Sequence, residues 1–347
     1  MLMNNSQRFL WIFLLNIFLI FFFTACSSSP SIQSGWIKTF GGKEEDLGLN
    51  VRQATDGGYI VCGSSYDKGA PHFYLLKTDA QGKELWSNSF GGRYPGYGSS
   101  VQQTADGSYI VTGGILSTDR NSIDVILLKT DIQGKELWNR TFGGPSDEAG
   151  FAVQQTTDGG YVIVGSTSSF GKGGNDVYLL KTDSEGRELW NRTFGGPSDE
   201  EGIAVQQTTD GGYVIVGSTS SFGQGGKDVY LIKTDSEGRE LWNRTFGGPS
   251  NEEGNWTQQT SDGGYVIVGN TDSFGGGGTD VYFIKIDAER QDTWIRTFGE
   301  ENADVGLSGQ QTNDGGYILC GYTFSFGKGG QDVLLIKTDS DGKVSSK

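Results

Sequence analysis

The 347-residue chain is poor in the residues that most often carry catalysis or bind metals, with one histidine, three cysteines and two methionines. It contains no CxxC, HExxH or GxSxG motif and no phosphate-binding loop, which leaves zinc enzymes, serine hydrolases and nucleotide-binding enzymes without a sequence signature. No apolar periodicity of helical length is present, so a helical repeat is excluded. The formal net charge of −15 argues against nucleic acid as a partner.

A long apolar run lies at the N-terminus. Arg8 lies in the short polar stretch before apolar residues 9–23, and small residues follow, which is the order of a secretory signal peptide. The run is shorter than the ~20 residues of a membrane span. Residues 23–26, Phe-Thr-Ala-Cys, resemble the bacterial lipobox, with Phe23 where Leu is usual. The resemblance implies a signal peptide over 1–25, a lipidated Cys26 with a tether over 26–34, and a cell-envelope protein anchored outside the cytoplasm, on the outer membrane or cell surface.

Tryptophan marks an internal repeat along the remainder of the chain. Its spacing is 50 residues once and 52 residues four times, with copies at Trp36, Trp86, Trp138, Trp190, Trp242 and Trp294. Each period contains four short alternating runs separated by Asp- and Gly-rich turns, which predicts four antiparallel strands. In the fourth unit we expect them over 203–208, 213–218, 228–234 and 240–246.

Four-stranded units of this length, repeated radially, are typical of a β-propeller. We therefore predict an all-β fold over residues 35–347, a six-bladed β-propeller with four antiparallel strands in each blade. The last unit ends after its third strand, whereas Trp36 to Phe40 resemble a fourth strand that precedes the first complete unit. We expect this N-terminal strand to complete the last blade and close the ring, because closure removes exposed sheet edges.

The segment DVYLLKTDSEGRELW, residues 176–190, resembles the third-to-fourth-strand part of the pyrroloquinoline-quinone propeller repeat. The resemblance implies a quinoprotein-like fold in which the tryptophan docks between blades. It does not extend to the eight blades, calcium site and cysteine pair of the quinone enzymes. The whole repeat is similar to exported bacterial and archaeal repeat lipoproteins with GGY, GG-DVYL and W-TFGG motifs, a group without a settled activity.

Acidic residues recur in the connections between units. The clearest are the neighbouring pairs Asp147, Glu148 and Asp199, Glu200. Hard cations such as Ca²⁺ prefer clustered carboxylate and carbonyl oxygens, so these residues are candidate calcium ligands, although their spacing is not that of an EF-hand. The alternative interpretation is a solvated acidic face. No other cofactor is predicted.

Departures from the repeat mark a second candidate site. Arg93, Tyr94 and Tyr97 replace the acids in the second connection, and Trp256 stands where the preceding unit has Ala204. Exposed aromatic rings suit sugar faces or partner side chains, so these four residues form a candidate ligand face. The alternative is that they are packing residues.

The similarity of the units argues against a conventional enzyme. Residues 138–189 and 190–241 differ at five positions, whereas catalysis needs unlike groups around one substrate atom. No catalytic residue is predicted, and enzymatic activity is left open but disfavoured. The leading hypothesis is a membrane-anchored binding or assembly scaffold whose partner is an envelope protein or glycan. The alternative is a carbohydrate-binding propeller, or a carbohydrate-active one that resembles glycoside hydrolases.

Cys62 and Cys320 occupy the same position of the first and last units. Equivalent positions in adjacent blades are separated by about 10 Å, beyond the ~7 Å that a disulfide allows. We expect both thiols to be free and buried.

Overall fold

The computed structural model describes residues 36–67, 70–90, 95–117 and 119–344. The predicted signal peptide and tether, including Cys26, lie outside these ranges. The described ranges contain strands and turns, and they include no helix with the length and hydropathy of a membrane span.

The strands are close to those that the repeat predicts. In chain order they are β1 (Asp46–Gln53), β2 (Tyr59–Asp67), β3 (Ala70–Thr78), β4 (Glu84–Phe90), β5 (Gly96–Gln103), β6 (Tyr109–Ser117), β7 (Ser122–Thr130), β8 (Glu136–Phe142), β9 (Glu148–Gln155), β10 (Tyr161–Thr167), β11 (Asp176–Thr182), β12 (Glu188–Phe194), β13 (Glu200–Gln207), β14 (Tyr213–Thr219), β15 (Asp228–Thr234), β16 (Glu240–Phe246), β17 (Glu252–Gln259), β18 (Tyr265–Thr271), β19 (Asp280–Ile286), β20 (Asp292–Phe298), β21 (Asp304–Gln311), β22 (Tyr317–Thr323) and β23 (Asp332–Thr338). The first strand of the fourth unit begins at Glu200, earlier than predicted, because Glu200 already pairs with Thr219.

These strands form six antiparallel sheets, which we number one to six in chain order. Sheets one to five contain four consecutive strands each, and sheet six contains β21, β22 and β23. Each of the first strands β1, β5, β9, β13 and β17 contacts the first strand of the next sheet, so the series runs from β1 to β21. The sheets therefore stack face to face around a line of first strands, as blades do in a propeller. The all-β class and the repeated four-stranded antiparallel sheets are confirmed.

The core lies between the sheets. Between sheets four and five, Val229 and Leu231 from one face meet Tyr265 and Ile267 from the other. Because both faces of an inner sheet are covered in this way, the third strands are buried along their whole length, as in the Asp228–Thr234 strand. Burial of each large apolar side chain contributes roughly 1.5–3 kcal/mol.

The repeated tryptophan docks on the following sheet. The Trp190 ring lies 5.9 Å from the ring of Tyr213. Gly238 lies against the same indole, and a Cβ on Gly238 would approach the ring to 2.5 Å. Its φ of 72° also favours glycine. A side chain at this turn would push the tryptophan out of the junction.

A lysine forms an ion pair that links the first turn of each unit to its third strand, and its side chain is buried in units one to five and exposed in unit six. In the fourth unit, Lys233 Nζ lies 2.9 Å from Asp210 Oδ2. Burial alone would raise the pKa of Asp210, but the Thr208 hydroxyl and the Lys233 ammonium lower it to about 2. The same pairing recurs at Lys77, Lys129, Lys181, Lys285 and Lys337. The turn aspartate is therefore a structural anion.

The last sheet ends differently from the others. Residues 36–40 form no strand and β23 is the edge of sheet six, so the predicted closure is not formed within the described chain. Val333 and Leu335 on β23 are 83% and 66% exposed, whereas their equivalents Val229 and Leu231 are 0% exposed. The difference arises because no further sheet of the described ranges covers this face of sheet six.

Both predicted free thiols are free. Cys62 is buried, and its burial raises the pKa of the thiol. Cys320 is only half-buried, because it lies on the uncovered face of sheet six. The prediction of burial is therefore right for Cys62 and wrong for Cys320.

Candidate functional site

The candidate calcium ligands Glu148 and Glu200 are buried rather than solvated. Glu200 Oε2 accepts the Gly196 N–H at 2.7 Å, and its Oε1 accepts the Thr219 hydroxyl at 2.7 Å. Glu148 makes the equivalent bonds to Gly144 at 2.6 Å and to Thr167 at 2.8 Å. Each glutamate therefore holds the entry to its sheet and the loop after its second strand together.

The neighbouring aspartates tie adjacent units to each other. Asp147 Oδ1 accepts the Ile123 N–H at 2.8 Å, and Asp199 Oδ1 accepts the Asn175 N–H at 2.9 Å. In the next unit Asn251 takes this place and accepts the Lys227 N–H at 3.1 Å. Since an uncharged amide serves equally, the position requires a hydrogen-bond acceptor and not a negative charge.

The four acids are thus brought to two equivalent junctions, where they act as hydrogen-bond acceptors. Within the described ranges, no three His, Cys, Asp or Glu side chains are grouped closely enough to hold a metal ion. A Ca²⁺ ion at either junction would have to replace existing donors, so calcium stays an expectation from the sequence.

Two buried carboxyl groups lie close together at each junction from sheets two and three to sheets five and six, and the sequence did not predict this. Asp228, at the start of β15, and Glu252, at the start of β17, approach the same glycine from two sheets. A Cβ on Gly247 would lie 2.1 Å from Asp228 Oδ1 and 2.4 Å from Glu252 Oε2. Burial raises the pKa of Asp228. The hydrogen bond from the Gln224 N–H lowers this pKa, and the charge of Glu252 raises it further. Asp228 and Glu252 are 24 residues apart in the sequence, and no sequence pattern indicates that their carboxyl groups lie close together.

The paired glutamines of the first strands form a ladder between units. Gln154 accepts the Gln207 N–H at 2.7 Å, and Gln206 accepts the Gln259 N–H at 2.7 Å. The second glutamine of each pair also reaches back, since Gln259 accepts the Thr209 N–H at 2.9 Å. The glutamine side chains at the ends of the first strands are therefore used in hydrogen bonds between neighbouring units.

Of the four residues of the candidate ligand face, the structure describes Tyr97 and Trp256, and neither is an exposed aromatic ring. Arg93 and Tyr94 lie outside the described residues. Tyr97 is half-buried with its hydroxyl against Gly114, and burial, with a smaller effect of Asp147, raises the pKa of that hydroxyl. Trp256 is 2% exposed and lies in the core between sheets five and six. The correction follows from packing, since a large ring facing the next sheet is covered by it.

Gly309 in sheet six makes the room for Trp256. A Cβ on Gly309 would lie 3.2 Å from the Trp256 ring. At the junction of sheets three and four the corresponding residues are Ala152 and Val205. The small and large partners are therefore exchanged between the two junctions, and the packing alternative for Trp256 is the correct one.

A surface cleft lies between sheets three and four, on their outer side. Its volume is about 190 Å³, and its lining includes Lys172, Thr193, Phe222, Glu240 and Asn243. Phe222 is 42% exposed, and its ring lies 5.8 Å from that of the buried Tyr230. The cleft combines an aromatic surface with amide, carboxylate and ammonium groups, which is the chemistry that binds polar, ring-shaped ligands.

Comparison with known proteins gives distant similarities. No protein-family model matches the chain. The regulatory protein FlaEY of Caulobacter vibrioides is 27% identical over 175 residues, which are 43% of this chain and 18% of that protein. A Bacteroides caccae protein of unknown function is similar over 82% of this chain and 90% of that chain, with 15% identity and a TM-score of 0.49. The Pan2 WD40 domain of Neurospora crassa is similar over 76% and 69%, with 11% identity and a TM-score of 0.49. None of them assigns an activity to this chain.

Trp256 and Gly309 provide a test of the packing. We expect Trp256→Ala to lower the free energy of unfolding by about 3–5 kcal/mol, because it leaves a cavity between sheets five and six. Gly309→Val alone should also destabilise the chain, by steric overlap. The double variant recreates the Ala152 and Val205 pair and should recover much of both losses. Urea unfolding measures all three, and additive losses in the double variant would contradict the compensation.

Proposed function

We propose that the chain is a membrane-anchored, extracytoplasmic β-propeller that acts as a non-enzymatic scaffold, binding or helping to assemble components of the cell envelope. The residues at 23–26, which resemble a lipobox, support the anchor. The use of the repeated acids and glutamines as hydrogen-bond acceptors between units supports a structural role for the groups that catalysis would otherwise employ. An envelope protein or a glycan is the proposed partner.

The observation that carries this proposal is a repeated, half-exposed aromatic residue on the loop after the second strand of sheets three to six. The phenylalanines at this position keep 41–42% of their surface exposed: Phe170, Phe222, Phe274 and Phe326. Three of them lie over a buried tyrosine, as Phe222 does over Tyr230. Identical apolar groups at a regular spacing suit a partner that makes several weak contacts at once, because linked contacts add avidity.

Anchoring and binding are tested in the same cells. We expect Cys26→Ser to abolish acyl labelling and to release the protein from the membrane fraction, since the lipid is its proposed anchor. A photo-crosslinking amino acid in place of Phe222 or Phe274 should attach to a defined envelope component in intact cells. The same amino acid in place of the exposed Val344 is the control. A labelled Cys26→Ser protein would refute the anchor, and equal products from all three positions would refute the binding surface.

We propose further that the six sheets are six blades and that residues 36–40 close the ring as the fourth strand of sheet six. Trp36 supports this, because its ring lies 5.8 Å from that of Tyr59 and against Gly82, as Trp190 lies on Tyr213 and Gly238. Asp46 Oδ2 accepts the Gly42 N–H at 2.6 Å, which reproduces the bond between Glu200 and Gly196. The segment before sheet one is thus arranged as if a sheet preceded it.

The uncovered face of sheet six distinguishes a closed ring from an open one. In a closed ring Leu335 occupies the buried position of Leu231, so Leu335→Lys should lower the free energy of unfolding by about 2–5 kcal/mol. Val344→Lys is the matched control, since Val344 is 52% exposed and lies beyond the face. Equal stability of the two variants in urea unfolding would show that the ring stays open.

Carbohydrate binding, or activity on carbohydrates, is the second candidate function, and the cleft between sheets three and four favours it. The equivalent cleft between sheets four and five carries Gln224 in place of Lys172 and Ile295 in place of Asn243. The first cleft therefore offers polar groups that the second lacks. A sugar ring stacked on Phe222 could reach Asn243 and Lys172 with its hydroxyl groups.

The two phenylalanines form a matched pair of variants for this candidate. On an array of bacterial envelope glycans we expect the wild-type protein to bind, and Phe222→Ala to weaken binding about tenfold, the effect of losing one aromatic contact of ~1.4 kcal/mol. Phe274→Ala should leave binding unchanged. Equal losses in both variants, or no glycan bound by the wild type, would remove this candidate.

A further inference from the structure

Two aspartates from different sheets meet at the junction between sheets five and six. Asp280 begins β19 and Asp304 begins β21, and both residues are 0% exposed. A Cβ on Gly299 would lie 1.8 Å from Asp280 Oδ1 and 2.8 Å from Asp304 Oδ2. The two carboxyl oxygens therefore lie on the same side of one glycine, away from water.

The two groups differ in their hydrogen bonds. Asp304 Oδ2 accepts the Glu300 N–H at 2.9 Å and its Oδ1 accepts the Thr323 hydroxyl, so both oxygens of this carboxylate have donors. Asp280 Oδ2 accepts the Gly276 N–H at 2.9 Å. Its Oδ1 is buried and has no partner among the described residues. A bare anionic oxygen beside a second carboxylate carries a large free-energy cost.

We propose that Asp280 carries a proton on Oδ1 and donates it to Asp304 Oδ2, so that the junction binds one proton between two carboxyl groups. The proton comes from solvent when sheets five and six pack, and it returns to solvent when they separate. The proton gives Asp280 Oδ1 a hydrogen-bond partner, because the protonated oxygen donates and Asp304 Oδ2 accepts. It also lowers the charge of the buried pair from −2 to −1. The junction should loosen as pH rises, whichever partner the surface binds.

The electrostatics of the site agree with this assignment. Burial raises the pKa of Asp280, the Gly276 N–H opposes the rise, and the charge of Asp304 adds to it. Asp304 is the charged group, from the facing sheet, that acts on Asp280. A carboxyl with a raised pKa binds its proton more tightly in the folded chain than in the unfolded one. Its stabilisation is complete below the unfolded pKa of ~3.9 and is lost as pH rises through the folded pKa.

A proton fits this site better than a metal ion. The oxygens of Asp304 are already used by donors, and the main chain at Gly299 fills the space beside Asp280 Oδ1. No third His, Cys, Asp or Glu side chain of the described ranges joins the pair to complete a coordination shell. Asp228 and Glu252 repeat the arrangement one junction earlier.

Carboxyl ¹³C NMR of the mature protein measures the protonation directly. We expect Asp280 to titrate at a higher pH than Asp262. Burial would raise the pKa of Asp262, but hydrogen bonds from Thr260 and Lys285 lower it below the usual range. Titration of Asp280 together with Asp262, or below it, would overturn the proposal. This measurement needs no variant and stands even if a substitution prevents folding.

Thermal unfolding across pH tests the consequence. The wild-type melting temperature should contain a component that falls as pH rises through the Asp280 midpoint. Asp280→Asn keeps an N–H donor facing Asp304 and has no proton to lose, so it should unfold without that component. Asp262→Asn, which removes a carboxyl of opposite shift, should retain it.

Two results would overturn the proposal in this experiment. One is an unchanged pH profile in Asp280→Asn. The other is a wild-type melting temperature raised by Ca²⁺ and lowered by EDTA, with neither effect in Asp280→Asn, because a metal ion would then occupy the place given to the proton.

Discussion

The packing of each sheet against the next is the constraint on which the whole structure depends. A four-stranded sheet of this composition is apolar on both faces, as the fully buried strand Asp228–Thr234 shows, so no unit can be stable alone. Trp190 and Gly238 show how one junction is specified, by a ring from one sheet and a turn without a side chain in the next. Stability is then a sum over junctions between neighbours, as in other repeat proteins.

The same constraint explains why the polar residues repeat as strictly as the apolar ones. Turns and strand ends brought into a junction carry N–H groups that water no longer reaches, and each must find an acceptor. Glu200, Asp199 and Gln206 are such acceptors, each bonded to main-chain N–H groups. Carboxylates are strong acceptors, but they bring charge into the junction. The close approach of Asp228 and Glu252 is a consequence of using two of them there.

The sequence predicted the parts of this structure that depend on neighbours along the chain. Tryptophan spacing gave the units, and alternation with Asp-Gly turns gave strands such as Asp228–Thr234 at their observed limits. The contacts between units could not be predicted from the sequence. An Asp-Glu pair beside Gly and Pro looks solvated until the sheet that covers Glu200 is known. Trp256 looks like an exposed aromatic until Gly309, 53 residues later, is placed opposite it.

Repeated packing requires the units to be alike, whereas specific binding requires some of their residues to differ. Units that pack on each other through one set of contacts must keep those residues alike, so any specificity has to come from positions that the junctions leave free. Phe222 and Lys172 are at such positions, since one is half-exposed and the other lines the outer cleft. Trp256 departs from the repeat too, but it is buried and is compensated by Gly309. A departure from the repeat therefore marks a binding position only where no neighbouring sheet covers it.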